Sequence, residues 1–143
     1  MNRIGCTLLM IFAFVVFVNA QNSTFKITTW NTEWLSCSIN GPTDEQLQVN
    51  NVAKVIKALD VDVVALQEVG TSSTYSTIDT LVRRLGSEWG GSIIPWSADN
   101  CNQNQGIIYK KSKVQFVSAS LMSNAGTSYN WSSGRFPVLY NLN

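Results

Sequence analysis

The sequence predicts an α/β fold in which a parallel β-α-β unit leads into antiparallel strands. Two short apolar segments with strand composition flank a stretch of helical periodicity, which indicates the unit. A second helical stretch is followed by several short strands, typical of a sheet that becomes antiparallel. The length of 143 residues suits one globular domain. The composition, 45% apolar and 13% charged, indicates a folded rather than a disordered chain.

The first strand and the first helix are predicted from the segment Phe25–Leu35 and the residues that follow it. Phe25–Leu35 is rich in aromatic and β-branched residues, and residues 37–42 carry turn chemistry. Thr43 with Gln46 three residues later forms a capping-box pattern. The helix then ends near Asp60, and one helical face is predicted from Leu47, Val52, Val55, Ile56 and Leu59.

The second strand is predicted at Val61–Val69, because its apolar run suits a strand buried on both faces. Ser76 or Thr77 can cap a second helix whose apolar face is Ile78, Leu81, Val82 and Leu85. The glycines that follow are predicted to end this helix: Gly86, Gly90 and Gly91. Four further strands are predicted: Ile93–Trp96, Gly106–Tyr109, Val114–Met122 and Phe136–Leu142.

Residues 1–20 have the pattern of a signal peptide. Arg3 supplies the positive start, Thr7–Val18 is an apolar run, and Val18-Asn19-Ala20 is a small-residue cleavage site. A membrane anchor is the alternative, but the run is short for a span, which needs ~20 residues. We therefore expect a secreted or periplasmic protein that begins at Gln21 and has no stable membrane association after cleavage.

Loss of the leader would remove Cys6 and leave Cys37 and Cys101. In an exported protein two cysteines form a plausible disulfide, and two separate buried thiols are the alternative. The chain has no histidine and no C-x-x-C spacing, so nothing resembles a zinc site. Because Arg3 lies in the leader, the mature chain would have balanced charge and no broad basic field for nucleic acid.

Asn31 and Glu68 are polar residues near the ends of the two predicted strands. A right-handed β-α-β unit would make these strands parallel, so both would end at one sheet edge, where α/β folds place ligands. An amide oxygen and a carboxylate are hard ligands that suit Mg2+ or Ca2+. The alternatives are a turn residue for Asn31 and a salt bridge for Glu68.

Four segments in chain order resemble motifs of the endonuclease/exonuclease/phosphatase superfamily, which has the DNase I-like fold. They are Thr29-Trp30-Asn31-Thr32-Glu33-Trp34-Leu35, Asp62-Val63-Val64-Ala65-Leu66-Gln67-Glu68-Val69, Gly106-Ile107-Ile108-Tyr109-Lys110 and Gly134-Arg135-Phe136-Pro137-Val138. The resemblance implies a DNase I-like four-layer α/β sandwich. Residues 21–143 would be about its N-terminal half, truncated at Asn143.

The resemblance also implies roles for individual residues. Asn31 matches the asparagine at the metal and scissile phosphate, and Glu68 matches the carboxylate that binds Mg2+ (or Ca2+ or Mn2+). Arg135 falls where the family keeps an arginine near the active-site face, although a structural ion pair is an equal alternative. The implied full-length activity is an exported metal-dependent phosphodiesterase, with DNA as the first candidate substrate.

The histidine-bearing motifs of that family do not occur in these residues. We therefore expect residues 21–143 alone to show no, or very weak, catalytic activity. Three other interpretations stay open. They are a non-catalytic family member that binds phosphorylated ligands or a partner protein, a phosphoesterase acting on phospholipids or inositol phosphates, and an exported α/β domain in which Asn31 and Glu68 are only structural.

Overall fold

The computed structural model describes residues 24–71, 76–96, 101–122 and 135–143, and the leader predicted for residues 1–20 lies outside them. Within these ranges the chain forms strands and helices in the predicted order. They are β1 (Ile27–Leu35), α1 (Glu45–Leu59), β2 (Val63–Val69), α2 (Thr77–Leu85), β3 (Trp89–Ile93), β4 (Asn104–Lys110), β5 (Phe116–Leu121) and β6 (Val138–Leu142).

Four of the strands form one sheet in the order β1-β2-β4-β3, and β5 and β6 pair in a second sheet. β1 and β2 are parallel, whereas the β2–β4 and β3–β4 pairs are antiparallel. This confirms the predicted α/β class. The main core joins both helices to the four-stranded sheet. A smaller cluster around Val63 and Ile107 contacts Tyr140 and Leu142 of β6.

Helix α1 is capped by Asp44, so the predicted Thr43 cap is wrong. The Asp44 carboxylate accepts a hydrogen bond from the Leu47 N–H at 2.9 Å, which satisfies a free amide at the helix start. The predicted apolar face is also rotated, because Val49, Val52, Ala53 and Ile56 are the buried residues of this helix. Three predicted members remain largely exposed: Leu47, Val55 and Leu59.

Helix α2 begins as predicted, with the Ser76 hydroxyl accepting a hydrogen bond from the Asp79 N–H at 3.2 Å. The prediction for the following strand was wrong, because β3 begins at Trp89 and includes Gly90 and Gly91. A Cβ at Gly90 would lie 2.6 Å from the Tyr109 ring, and a Cβ at Gly91 would lie 2.6 Å from the Ile78 side chain. These glycines therefore allow close packing inside a strand.

A disulfide joins Cys37, just after β1, to Cys101, just before β4. The two Cα atoms are 5.1 Å apart, and the cysteines are separated by 64 positions in the sequence. The bond therefore links two segments that approach the same end of the four-stranded sheet. In the part of the chain that the structure describes, no helix is long and apolar enough to cross a membrane.

Candidate functional site

The carboxyl end of β1 departs from regular strand geometry. Asn31 lies opposite Gln67 and Leu35 lies opposite Val69, so β1 uses more residues than β2 over the same length. The extra length is taken up by Glu33 and Trp34, whose φ angles are 50° and 56°. Left-handed residues of this kind are uncommon outside glycine and redirect the chain.

The carboxyl end of β2 carries a matching irregularity. The register with β4 shifts between Leu66 and Val69, which leaves an extra residue on β2. Glu68 lies inside this bulge with φ of 59°. A non-glycine residue in this conformation costs of order 1–3 kcal/mol, and such strain is concentrated at functional sites. The local backbone therefore holds the Glu68 side chain in a position that a regular strand would not give it.

The three residues singled out from the sequence line one cavity of about 190 Å³. Asn31 is exposed, whereas Glu68 and Arg135 are half-buried. The remaining lining side chains are amides: Gln67, Gln103 and Gln105. The parallel pairing of β1 and β2 explains why Asn31 and Glu68 meet, because both strands end at this edge.

The Asn31 side chain also forms a local turn. Its Oδ1 accepts a hydrogen bond from the Glu33 N–H at 2.9 Å, a common asparagine turn contact. The turn interpretation of Asn31 therefore holds, and it fixes the orientation of the amide. An amide oxygen has a second lone pair, and its Nδ2 group is a donor. Asn31 can consequently stabilise the bend and still contact a ligand.

Gln48 of α1 supports the irregular end of β1. Its Nε2 donates to the Thr32 and Glu33 carbonyl oxygens at 3.2 and 3.1 Å. Its Oε1 accepts a hydrogen bond from the Ser36 N–H at 3.2 Å. These bonds satisfy backbone groups that the irregular strand end leaves without ladder partners, which would otherwise be costly.

Asn104 plays the corresponding role beside Glu68. Its side chain is fully buried, and Nδ2 donates to the Val69 and Asn102 carbonyl oxygens, both at 3.1 Å. Its Oδ1 accepts a hydrogen bond from the Trp96 N–H at 3.2 Å. Sequence reasoning missed Asn104 and Gln48. The available signal was a pair of amides, Asn104 and Gln105, directly before an apolar strand, where a buried amide must find partners.

The charged groups at the opposite end of the sheet neutralise one another. Lys110 Nζ lies 2.9 Å from the Asp60 carboxylate and 3.6 Å from that of Asp62, and Lys26 Nζ lies 3.2 Å from Asp60. The hydrogen bond from Lys110, followed by that from Lys26, lowers the pKa of the Asp60 carboxyl. Glu68 takes part in no ion pair among the described residues.

The donors at the candidate site suit a cation that keeps much of its water. Among the described residues, no cluster of three or more histidine, cysteine or acidic residues could hold a metal. The cavity instead offers one carboxylate, Glu68, and amide oxygens such as that of Asn31. Mg2+ often binds through one or two carboxylates plus water and phosphate oxygens, so this donor set fits it.

Solved structures share this fold. Humanized Danio rerio TDP2 is 18% identical, with a TM-score of 0.59 over 83% of this chain and 41% of its own. The human Nocturnin catalytic domain with bound sulfate is 16% identical, with a TM-score of 0.58 over 83% of this chain and 44% of its own. A Bacteroides thetaiotaomicron mannosyl-6-phosphatase is 14% identical, with a TM-score of 0.55 over 83% and 51%.

The chain thus spans 41% to 51% of the length of these three solved structures. At these identities the likeness shows the fold alone. No curated protein sequence matches the chain significantly. The sequence profile of the Endonuclease/Exonuclease/phosphatase family matches residues 28–138, which include Asn31, Glu68 and Arg135. The resemblance seen in the motifs is therefore confirmed, and the chain belongs to the endonuclease/exonuclease/phosphatase family.

Proposed function

We propose that Asn31, Glu68 and Arg135 form a site for a divalent cation and a phosphate ester, and that this site is part of the active site of a metal-dependent phosphodiesterase. The observation that carries this proposal is the shared cavity. It brings a carboxylate, an amide and a guanidinium group together at the carboxyl ends of two parallel strands. This combination matches the charges of a cation bound to a phosphate group.

Each residue has a distinct role in this proposal. Glu68, with help from Asn31, holds the cation, which when bound neutralises phosphate charge and stabilises the leaving oxygen. Arg135 donates hydrogen bonds to phosphate oxygens, since a guanidinium fork matches their geometry. The Nδ2 group of Asn31 can donate to another phosphate oxygen. The strained backbone at Glu68 supports a functional role for its carboxylate.

DNA is our first candidate substrate. One similar solved structure is Danio rerio TDP2 complexed with a single-stranded DNA product. The Nocturnin structure holds a sulfate anion, which resembles phosphate in shape and charge. A mannosyl-6-phosphatase among the similar structures shows that the fold also serves phosphate esters of small molecules. Phospholipid or inositol-phosphate substrates are therefore the alternatives within the same chemistry.

One observation favours a second candidate function, which is phosphate-ligand binding without turnover. The 143 residues contain no histidine, and histidine is the commonest side chain for proton transfer near neutral pH. The described cavity contains Glu68 as its only carboxylate, so cation binding and water activation would compete for one group. Under this second candidate function, residues 21–143 alone bind cation and phosphate but hydrolyse phosphodiesters slowly or not at all.

We also propose export to an oxidising compartment. The Cys37–Cys101 disulfide supports this location, because disulfides persist mainly in secreted and periplasmic proteins. Together with the signal-peptide pattern of residues 1–20, the disulfide favours a secreted or periplasmic phosphoesterase. A fusion of residues 1–20 to a reporter enzyme would test it: export with cleavage after Ala20 supports the proposal, and retention in the cytoplasm overturns it.

Thermal unfolding in MgCl2 and MnCl2 tests the proposed cation site. The wild type should gain thermal stability with added cation, about 2.7 kcal/mol at a hundredfold excess over Kd. Glu68→Gln should lose this gain. Glu33→Gln is the matched control, because Glu33 is an exposed carboxylate at the carboxyl end of the neighbouring strand β1 but does not line the cavity. An equal gain in Glu68→Gln would remove Glu68 from the site.

Plasmid DNA with Mg2+ tests turnover in the same preparations. We expect little or no cleavage by residues 21–143. Rapid cleavage that survives Glu68→Gln would contradict the proposed site, whereas rapid cleavage lost in that variant would contradict only the proposal of slow turnover.

A further inference from the structure

The two sheets meet near the candidate site without a shared strand ladder. β1-β2-β4-β3 and β5-β6 are separate hydrogen-bonded sheets. Arg135 lies just before β6 of the second sheet, whereas Asn31 and Glu68 belong to the first. The position of Arg135 in the cavity therefore depends on how the start of β6 is held against the first sheet.

Tyr140 and Leu142 of β6 pack on the first sheet further along the strand, and Gln105 of β4 supplies the hydrogen bonds at the start of β6. Its Nε2 donates to the Phe136 carbonyl oxygen and its Oε1 accepts a hydrogen bond from the Val138 N–H, both at 3.3 Å. The backbone carbonyl oxygen of Gln105 also accepts a hydrogen bond from the Tyr140 hydroxyl at 2.8 Å. Three bonds from one residue thus fix the segment that follows Arg135, and Gln105 itself lines the cavity.

The pairing of β5 with β6 explains why Gln105 is needed at this point. The Met122 N–H donates to the Pro137 carbonyl oxygen at 2.9 Å, and Val138 lies opposite Leu121. Antiparallel strands alternate hydrogen-bonded and non-hydrogen-bonded pairs, so the Val138 N–H faces away from β5. The Gln105 side chain supplies the partner that this amide lacks within its own sheet.

We propose that Gln105 is a positioning residue that places Arg135 beside the cation site. Phosphate binding then depends on an uncharged side chain as well as on Glu68 and Arg135. The proposal rests on the proposed function for its ligand. Without the Gln105 amide, the backbone that follows Arg135 would lose two hydrogen bonds to the first sheet, and the guanidinium group would be held less closely relative to Glu68. Phosphate affinity should then fall, while cation affinity should not change.

The Gln105 clamp, meaning the two side-chain hydrogen bonds from Gln105 to Phe136 and Val138, can be tested without any ligand by hydrogen exchange of backbone amides. Gln105→Met keeps the side-chain length and removes both amide bonds, so the Val138 amide should exchange about tenfold faster, the worth of one hydrogen bond. The Met122 amide should keep its protection because its partner is Pro137. Unchanged exchange at Val138 would overturn the proposal.

Calorimetric titration with inorganic phosphate in the presence of MnCl2 tests the consequence for binding. Gln105→Met should weaken phosphate binding about tenfold, and Arg135→Met about tenfold or more. The double variant should bind no more weakly than Arg135→Met alone, because both changes remove one interaction. Mn2+ affinity should stay at the wild-type value in all three variants.

Ile56→Val is the control for general destabilisation. Ile56 is fully buried in the main core between the helices and the four-stranded sheet, whereas β6 packs in the second cluster. It should lower the melting temperature without weakening phosphate binding. Gln105→Asn, which moves the amide back by one methylene, is a second variant in case Gln105→Met does not fold, and it should also expose the Val138 amide.

The two proposals fail in different ways. Absence of phosphate binding in the wild type, with faster Val138 exchange in the variant, would contradict the proposed function and leave the clamp intact. Wild-type phosphate affinity in Gln105→Met, or equal losses of Mn2+ and phosphate affinity, would overturn the positioning role.

Discussion

Replacing Glu68 by glycine and by alanine should reverse the usual order of stability of these two residues. Glu68 has φ of 59° within a bulge of β2. Alanine keeps the Cβ that makes this conformation unfavourable, whereas glycine has no Cβ. We therefore expect Glu68→Gly to be more stable than Glu68→Ala, although both variants lose the carboxylate of the proposed cation site.

The expected size of the effect follows from two opposing terms. A left-handed non-glycine residue costs about 1–3 kcal/mol, and glycine in a strand costs about 0.5–1 kcal/mol more than alanine in backbone entropy. The difference is a gain of about 1 kcal/mol for glycine. Loss of the Glu68 side chain is common to both variants, so its contribution cancels in the comparison.

Urea unfolding followed by tryptophan fluorescence would measure this difference, since Trp30, Trp34 and Trp89 lie in or beside the main sheet. With an m-value of about 2 kcal/mol/M, the glycine variant should unfold at a midpoint about 0.5 M higher than the alanine variant. Ala65→Gly in the same strand is the control and should be destabilising. If Glu68→Gly were instead less stable than Glu68→Ala, the Glu68 backbone would not be strained and that reasoning would be refuted.

Three further predictions concern the framework around the site. Removing the disulfide with Cys37→Ser and Cys101→Ser should lower the free energy of unfolding by about 4 kcal/mol, because its 64-position separation closes a long loop; calorimetry showing no loss would contradict this. Asn104→Leu should cost about 3 kcal/mol in urea unfolding, since it removes three hydrogen bonds to backbone groups at about 1 kcal/mol each; a neutral effect would show that water replaces the amide. Asp60→Asn should slightly lower the free energy of unfolding at neutral pH. The difference between variant and wild type should vanish as the pH falls through the pKa of Asp60, which Lys110 lowers; a difference in the free energy of unfolding that grows in acid would contradict this prediction.

The order of elements and the meeting of Asn31 with Glu68 could be predicted from the sequence. Helical periodicity between two apolar segments indicates a parallel unit, and parallel strands end at one edge. The position of Arg135 in the same cavity could not be predicted in this way, because it depends on how a second sheet packs on the first. Only the motif resemblance pointed to Arg135, since local periodicity contains no information on how separate sheets pack.

Other features could not be read from local patterns. Apolar residues occur on more than one side of α1, so spacing alone could not show that Val49 and Ala53 face the sheet while Val55 stays exposed. The roles of Gln48 and Gln105 depend on partners 12 or more positions away. Amide side chains of this kind satisfy backbone groups at strand irregularities, and those irregularities appear only when the strands are paired.

Paramagnetic broadening of NMR signals by substoichiometric Mn2+ tests the central claim most directly. If Asn31 and Glu68 hold the cation, broadening should centre on the side-chain amides of Asn31, Gln67 and Gln105, which line the cavity, and should disappear in Glu68→Gln. Broadening centred instead on the opposite end of the sheet, around Asp60 and Asp62, or unchanged in Glu68→Gln, would contradict a cation site at Glu68.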